Sequence, residues 1–278
     1  MLKSSARKIF RWLAGRRSSQ AFFEFLQITA LAGMNIGTGD TISESGELTL
    51  IDQLARYYPK ESALTLFDVG ANTGDYVQAL LDAFASHPQT RIFAFEPSPQ
   101  THGLLTRRFS GTARVALEPF GFGAEEETRT LFRPALAAAS GIASLYRRRL
   151  DHFNIQLDTQ EEVRIRTIDR FCEEQALKKI HLLKLDVEGH ELSALKGAER
   201  MLRDGLIDFI QFEFGGCNID SKTFFQDFYY VLNDRYALYR VLTYGLAPIT
   251  AYREQYEAFI TTNFLAARRD LDANFLRD

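Results

Sequence analysis

The stretch Leu64-Thr-Leu-Phe-Asp68-Val-Gly70-Ala71-Asn72-Thr-Gly74 carries an apolar segment into an acid and then into a glycine-rich turn. Leu64 to Val69 has the composition of a parallel strand buried on both faces. The glycines let the backbone turn sharply and come close to a ligand. Asp75 to Phe84 then reads as a helix. Strand, glycine turn and helix in that order open a doubly wound α/β sheet, whose ligands sit beyond the carboxyl ends of the strands. The turn is therefore of nucleotide-binding type. Its spacing, Gly70-x-Asn72-x-Gly74, is not G-x-G-x-x-G, and no Lys-Ser/Thr follows as a phosphate-cradling loop requires. This spacing favours a ligand without a pyrophosphate.

A second acid extends the pattern. Arg91 to Phe95 predicts the next strand, and Glu96-Pro97-Ser98 follows at its carboxyl end, where an acid commonly accepts hydrogen bonds from ribose hydroxyls. Downstream, Ala113 to Leu117, Thr128 to Phe132, Val163 to Ile168, Ile180 to Val187, Leu206 to Phe214, Tyr236 to Leu242 and Phe259 to Ala266 read as strands. Asp169 to Leu177, Glu191 to Leu202 and Ser221 to Leu232 read as helices, the last with a serine cap. This alternation predicts a mainly parallel sheet.

The segments Asp68-Val-Gly-Ala-Asn-Thr-Gly74, Glu96-Pro-Ser98, Lys184-Leu-Asp186-Val-Glu188-Gly-His190-Glu191 and Gln211-Phe-Glu213-Phe-Gly-Gly216 resemble, in order, the motifs of the FkbM family of S-adenosylmethionine-dependent methyltransferases. The resemblance runs from about Gly33 to Ala267. It implies a Rossmann-like class I methyltransferase fold, with seven mainly parallel strands, the last antiparallel, and helices on both faces. It also implies S-adenosylmethionine as cofactor and a hydroxyl of a sugar, glycan or polyol-like metabolite as acceptor. Asp68, Gly70, Ala71, Asn72, Gly74, Glu96, Pro97, Ser98 and Asp186 are the candidate cofactor-binding residues. Residues 1–60 are read as a helical extension with a lid at the cofactor site, formed by Gly33 to Asp40 and Ser45 to Leu48. Residues 61–278 are read as the methyltransferase domain.

Lys184, Asp186 and Glu188 share one face of their strand if it stays extended through Glu188, because side chains alternate along a strand. Gln211 and Glu213 repeat the arrangement on the following strand, which the family resemblance implies is its neighbour in the sheet. Buried charges need partners or a function. The cluster is thus open to two readings, a self-neutralising ion-pair network or a catalytic centre. Methyl transfer to an alcohol needs the oxygen held in line with the S–C bond and a group to take its proton. Asp186, Glu188 and His190 are the candidate bases, the two carboxylates favoured. Lys184 and Glu213 complete the catalytic set, and Asn218 and Asp220 offer polar groups at the rim. Asp186, Glu188 and Glu213 have the oxygen donors for Mg²⁺, but the Lys184 ammonium argues against a metal, and no His/Cys pattern suits zinc.

The charge balance, 33 Lys and Arg against 36 Asp and Glu, leaves a formal net charge of −3 and no overall reason to expect nucleic acid. Cys172 and Cys217 form no disulfide framework, which fits a reduced, cytoplasmic setting. Three arginines, Arg147 to Arg149, read as a solvated face or as recognition of an anionic or sugar acceptor. The first seventeen residues hold six basic residues and no acid around Ile9, Phe10, Trp12 and Leu13. That segment reads as a helix packed on the domain or as peripheral contact with an anionic membrane. It is too short and charged to span one, and it lacks a signal-peptide pattern. A nicotinamide-dependent oxidoreductase is disfavoured by the turn spacing, and a cofactor-binding scaffold without turnover is the remaining alternative.

Overall fold

The computed structural model describes residues 10–37, 41–135 and 141–271. Its strands are β1 (Thr65–Val69), β2 (Arg91–Phe95), β3 (Val115–Glu118), β4 (Gly121–Phe122), β5 (Glu127–Arg133), β6 (Thr159–Arg166), β7 (Ile180–Leu185), β8 (Ile207–Phe214), β9 (Tyr236–Leu242), β10 (Gly245–Ile249) and β11 (Thr262–Arg268). Eight form one sheet in the order β10-β9-β11-β8-β7-β1-β2-β3. The pairs from β3 across to β8 are parallel, and β11 runs antiparallel to both β8 and β9. The expected antiparallel last strand is therefore present. The eighth strand is β10, which folds back on β9 as an edge hairpin with Gly245 opposite Leu242.

Alternation along the strands divides the core. Phe67, Val69, Phe93 and Phe95 face one layer with Phe171, Leu195 and Phe228 from helices Ile168–Glu174, Glu191–Lys196 and Phe225–Leu232. Leu66, Ile92, Ala94 and Leu182 face the other layer with Leu54, Leu80 and Leu105 from helices Glu47–Tyr57, Asp75–Ala83 and Pro99–Phe109. Each central strand is thus covered on both faces, which explains its nearly continuous apolar sequence.

Two predicted helices are divided. The run from Glu191 to Leu202 breaks at Gly197, and a second helix, Glu199–Arg203, starts where the Asp169 carboxylate accepts the N–H groups of Arg200 at 2.7 Å and Met201 at 3.0 Å. Ser221 caps nothing and instead ends a short helix, Cys217–Ser221. The next helix begins at Phe225, where the Glu257 carboxylate accepts the N–H groups of Phe225 and Gln226, each at 2.8 Å. Both caps come from residues at least thirty positions away, so no local pattern marks them.

A small sheet, ordered β4-β6-β5, stands beside the main one. From its core of Leu131, Leu145, Val163 and Ile165, the first two and Ile165 form an apolar wall of the cleft at the carboxyl ends of β1 and β7.

Candidate active site

The turn after β1 is built by backbone contacts. The N–H groups of Gly70 and Ala71 both donate to the Phe95 carbonyl at 3.0 Å, tying the turn to the end of β2. Gly70 has φ +85°, and a Cβ there would lie 1.8 Å from the Asp186 carbonyl oxygen. Asn72 is also left-handed. At Gly74 the φ is +90°, and a Cβ would lie 2.2 Å from the Phe109 ring. Gly70 thus permits the approach of two strand ends, and Gly74 the approach of a helix.

Glu96 is buried at the end of β2, one carboxylate oxygen accepting the Asn72 N–H at 3.0 Å and the other the Ser98 N–H at 2.9 Å. Burial pushes its carboxyl up to about 7, against the pull of these two donors. Each oxygen keeps lone-pair capacity beyond its N–H contact, and Glu96 lines the cleft. That geometry suits a vicinal diol donating two hydrogen bonds. Ser98 is a helix cap whose hydroxyl accepts the Thr101 N–H at 3.4 Å.

The cleft is open at its mouth and encloses about 680 Å³ of atom-free space when that open mouth is included. Of the candidate cofactor-binding residues, Gly70, Asn72, Glu96, Pro97 and Asp186 line it. Ala71, Gly74 and Ser98 support the turn from behind, and Asp68 is fully buried beneath it. Among the described residues, no Lys or Arg lines the cleft. Its described lining therefore combines the Glu96 carboxylate with apolar walls.

The expectation that Lys184, Asp186 and Glu188 share one face fails because β7 ends at Leu185. Glu191, fully buried, turns the chain there: its carboxylate accepts the N–H groups of Val187 at 3.0 Å and Gly189 at 3.1 Å. Glu188 and Gly189 are both left-handed as a result. Sequence reading missed Glu191, although an acid in the first turn of a helix was a signal for it.

The charged cluster splits into two. Beneath the cleft, the buried Lys184 ammonium lies 3.3 Å from Asp68, 3.2 Å from Asp186 and 4.6 Å from the centre of the Tyr76 ring. Its two carboxylates hold its pKa well above the usual lysine value, outweighing burial. Gln211, also fully buried, donates to Glu47 at 2.6 Å and accepts the Tyr76 hydroxyl at 2.6 Å. Glu47 thus belongs to this network, although the leader holding it was read as a lid. Within that leader, residues 38–40 lie outside the described residues.

The second cluster centres on Glu188. Glu188 lines the cleft and is ion-paired with Arg148, whose Nε lies 3.9 Å from Asp220. Burial pushes the Glu188 carboxyl up to about 8 against the pull of Arg148. The arginine run therefore divides, with Arg148 turned inward and Arg147 and Arg149 exposed. The loop carrying them is pinned by the Ser144 hydroxyl, which donates to the Glu188 carbonyl at 2.7 Å. Residues 136–140, which precede it, lie outside the described residues. Glu213 lies behind Glu188 with its carboxyl raised well above the ordinary value, first by burial and then by Asp186 and Glu188. Ligating atoms of Glu188, Glu213 and Cys217 lie within 4.8 Å of one another, so Cys217, and not Asp186, completes the group that a cation would meet. Asn218 is buried and structural, its amide oxygen accepting the Gly215 N–H at 2.8 Å.

His190 also lines the cleft. Its Nδ1 is 3.0 Å from the Tyr146 hydroxyl, while its buried Nε2 has no hydrogen-bond partner among the described residues. Burial lowers its pKa to about 4, so the ring is neutral near pH 7.

The sequence profile described as the methyltransferase FkbM domain matches residues 68–241. The hexuronic acid methyltransferase AglP of Haloferax volcanii is 31% identical over 141 residues, which cover 50% of this chain and 51% of AglP. Methyltransferase 1 of Beauveria bassiana is 28% identical over 158 residues, covering 51% of this chain and 60% of that protein. The chain thus matches little more than half the length of these relatives. The crystal structure of a methyltransferase FkbM from Methylobacillus flagellatus KT is similar with a TM-score of 0.44 and 18% identity, over 74% of this chain and 43% of that one.

Proposed function

Because this chain belongs to the FkbM methyltransferase family, we propose that it methylates a hydroxyl oxygen of a sugar, glycan or polyol-like acceptor. Its cofactor is S-adenosylmethionine, which when bound supplies a methyl group on a cationic sulfur that keeps the bond's electron pair as the acceptor oxygen takes the methyl. The observation that carries the reading is one cleft lined by Glu96 on one side and by Asp186, Glu188 and His190 on the other. The likeness to AglP, a hexuronic acid methyltransferase by name, supports a sugar acceptor. The formal charge of −3 supports a small acceptor over a polyanion.

In this reading Glu96 accepts the ribose hydroxyls and the wall of Leu131, Leu145 and Ile165 keeps water from the reacting groups. Glu188 takes the acceptor's proton, since a carboxyl held near the working pH matches a general base. Arg148 remains beside it through the transfer. Asp186, anchored by Lys184, and the neutral His190 hold the acceptor hydroxyl in place.

The test is incubation with S-adenosylmethionine carrying a carbon-13 methyl group and a panel of free hexoses, uronic acids, polyols and amino sugars. A methoxy carbon resonance in a sugar product, absent with Glu188→Gln, is the expected result. Labelled methyl appearing only on amine acceptors would overturn the reading.

A further inference from the structure

The helix Gln20–Gly33 is apolar nearly all round, with Phe22, Phe23, Phe25, Leu26, Ile28 and Leu31 along its 14 residues, yet none of its residues is buried. Phe22, Phe25 and Ile28, at spacings of three, form an outward stripe in which Phe25 is 64% and Ile28 67% exposed. Trp12, in the turn before the helix, is 65% exposed. A helix of this composition is stable when something covers it. Among the described residues the rest of the protein supplies little cover: Phe10 of the same segment packs on Phe22 and Phe23, and the far end is held at Asn35, whose amide donates to the Ser45 and Val241 carbonyls at 2.9 and 3.1 Å.

Charge indicates what covers it. Arg11, Arg16 and Arg17 are exposed beside the stripe, and Glu24 is the sole acid from residue 10 to residue 37. Lys3, Arg7 and Lys8 precede them in sequence. At 14 residues, about 21 Å long, the helix does not span a bilayer. Exposed aromatic and aliphatic groups flanked by arginines match the boundary between acyl chains and anionic headgroups, where arginine meets phosphate and tryptophan sits at the interface.

We infer that residues Phe10 to Met34 dock this protein on a membrane surface bearing anionic lipids, with Trp12, Phe25 and Ile28 inserted and Arg11, Arg16 and Arg17 on the headgroups. The segment rejoins the domain at the cleft's end of the sheet. The Gly37 N–H donates to the Thr261 carbonyl at 2.9 Å, next to Thr262, which pairs with Phe214 at the carboxyl end of β8. Docking therefore brings the substrate-binding edge of the sheet toward the membrane.

The experiment is flotation of the full chain with vesicles of phosphatidylcholine mixed with phosphatidylglycerol, against vesicles of phosphatidylcholine alone. Binding to the mixed vesicles that weakens with added salt is expected. Phe25→Asp and Ile28→Asp should each lower partitioning about tenfold or more, as expected for one large apolar group kept out of the interface. Arg16→Ser and Arg17→Ser should each lower it about fivefold. Unchanged S-adenosylhomocysteine affinity in all four variants establishes that they are folded, and vesicle binding needs no turnover. No binding to either vesicle overturns the inference. So does a lipid-free dimer, by light scattering, that Phe25→Asp converts to monomer without any vesicle binding, since the stripe would then be covered by a second copy.

Discussion

The point where a Cβ on Gly70 would sit lies 1.8 Å from the backbone carbonyl oxygen of Asp186. The turn after β1 and the residue that opens the turn after β7 are thus in direct backbone contact. The Asp186 N–H also donates to the Val69 carbonyl at 3.0 Å, so the carboxyl ends of β1 and β7 are locked together at this point.

Gly70→Ala should therefore damage both the fold and the cofactor site. The left-handed backbone alone costs about 1–3 kcal/mol for a residue with a side chain, and the steric overlap adds to it. Denaturant unfolding and calorimetry with S-adenosylhomocysteine measure the two effects. Wild-type stability and affinity in this variant would show that the strand ends separate freely.

Glu96 should make cofactor affinity depend on pH. Its ionised form has lone pairs for the ribose hydroxyls, and its carboxyl is held up at about 7 in the free protein. Affinity is then full above about pH 7 and falls below it, by at most about tenfold per pH unit. Glu96→Gln should weaken binding by roughly 1.5–3 kcal/mol and abolish the slope. A flat profile in the wild type removes the ribose assignment.

Turnover should follow a second ionisation. A base must be unprotonated to act, so the rate should rise with pH through about 8, the value to which burial pushes Glu188. Glu188→Gln should lower turnover by about 10²–10⁴-fold with cofactor affinity nearly unchanged. Asp186→Asn and His190→Gln should reduce it less and preserve the pH profile. If the profile persists in Glu188→Gln, the base lies elsewhere.

Removing the Lys184 ammonium leaves Asp68 and Asp186 facing each other without a countercharge. Lys184→Met should destabilise by about 3–5 kcal/mol, the scale for breaking a buried pair. Adding Asp68→Asn should recover part of that loss, because a neutral amide replaces the stranded charge. Equal stability of the single and double variants would refute the pairing.

Chelation tests the Glu188, Glu213 and Cys217 group. Arg148 already sits against Glu188, so EDTA should leave turnover unchanged. Loss of activity on chelation, restored by Mg²⁺, would make this group a metal site and displace Glu188 as the base.

Local order was legible without the tertiary structure. The β1 turn needs only an apolar run, an acid and two glycines four residues apart with Asn72 between them, and Arg91–Phe95 and Tyr236–Leu242 match their predicted bounds residue for residue. Glu96 was placed by its position one residue past a strand. Alternation along β7 correctly put Lys184 opposite Leu183 and Leu185, because period two is a property of the extended backbone.

What the tertiary structure decided lies where a distant group sets a local conformation. Extrapolating the alternation to Glu188 failed because the buried Glu191 carboxylate collects two N–H groups and ends the strand early. That Arg148 points inward while its two neighbours face solvent depends on the carboxylates at Glu188 and Asp220, forty and seventy-two positions away. Glu47 entered the buried network because Gln211, 164 residues distant, needed an acceptor. Periodicity and turn chemistry act over a few residues, and a sequence records them directly. Desolvation makes each buried charge or amide find a partner, and the partner is whichever group the fold brings near.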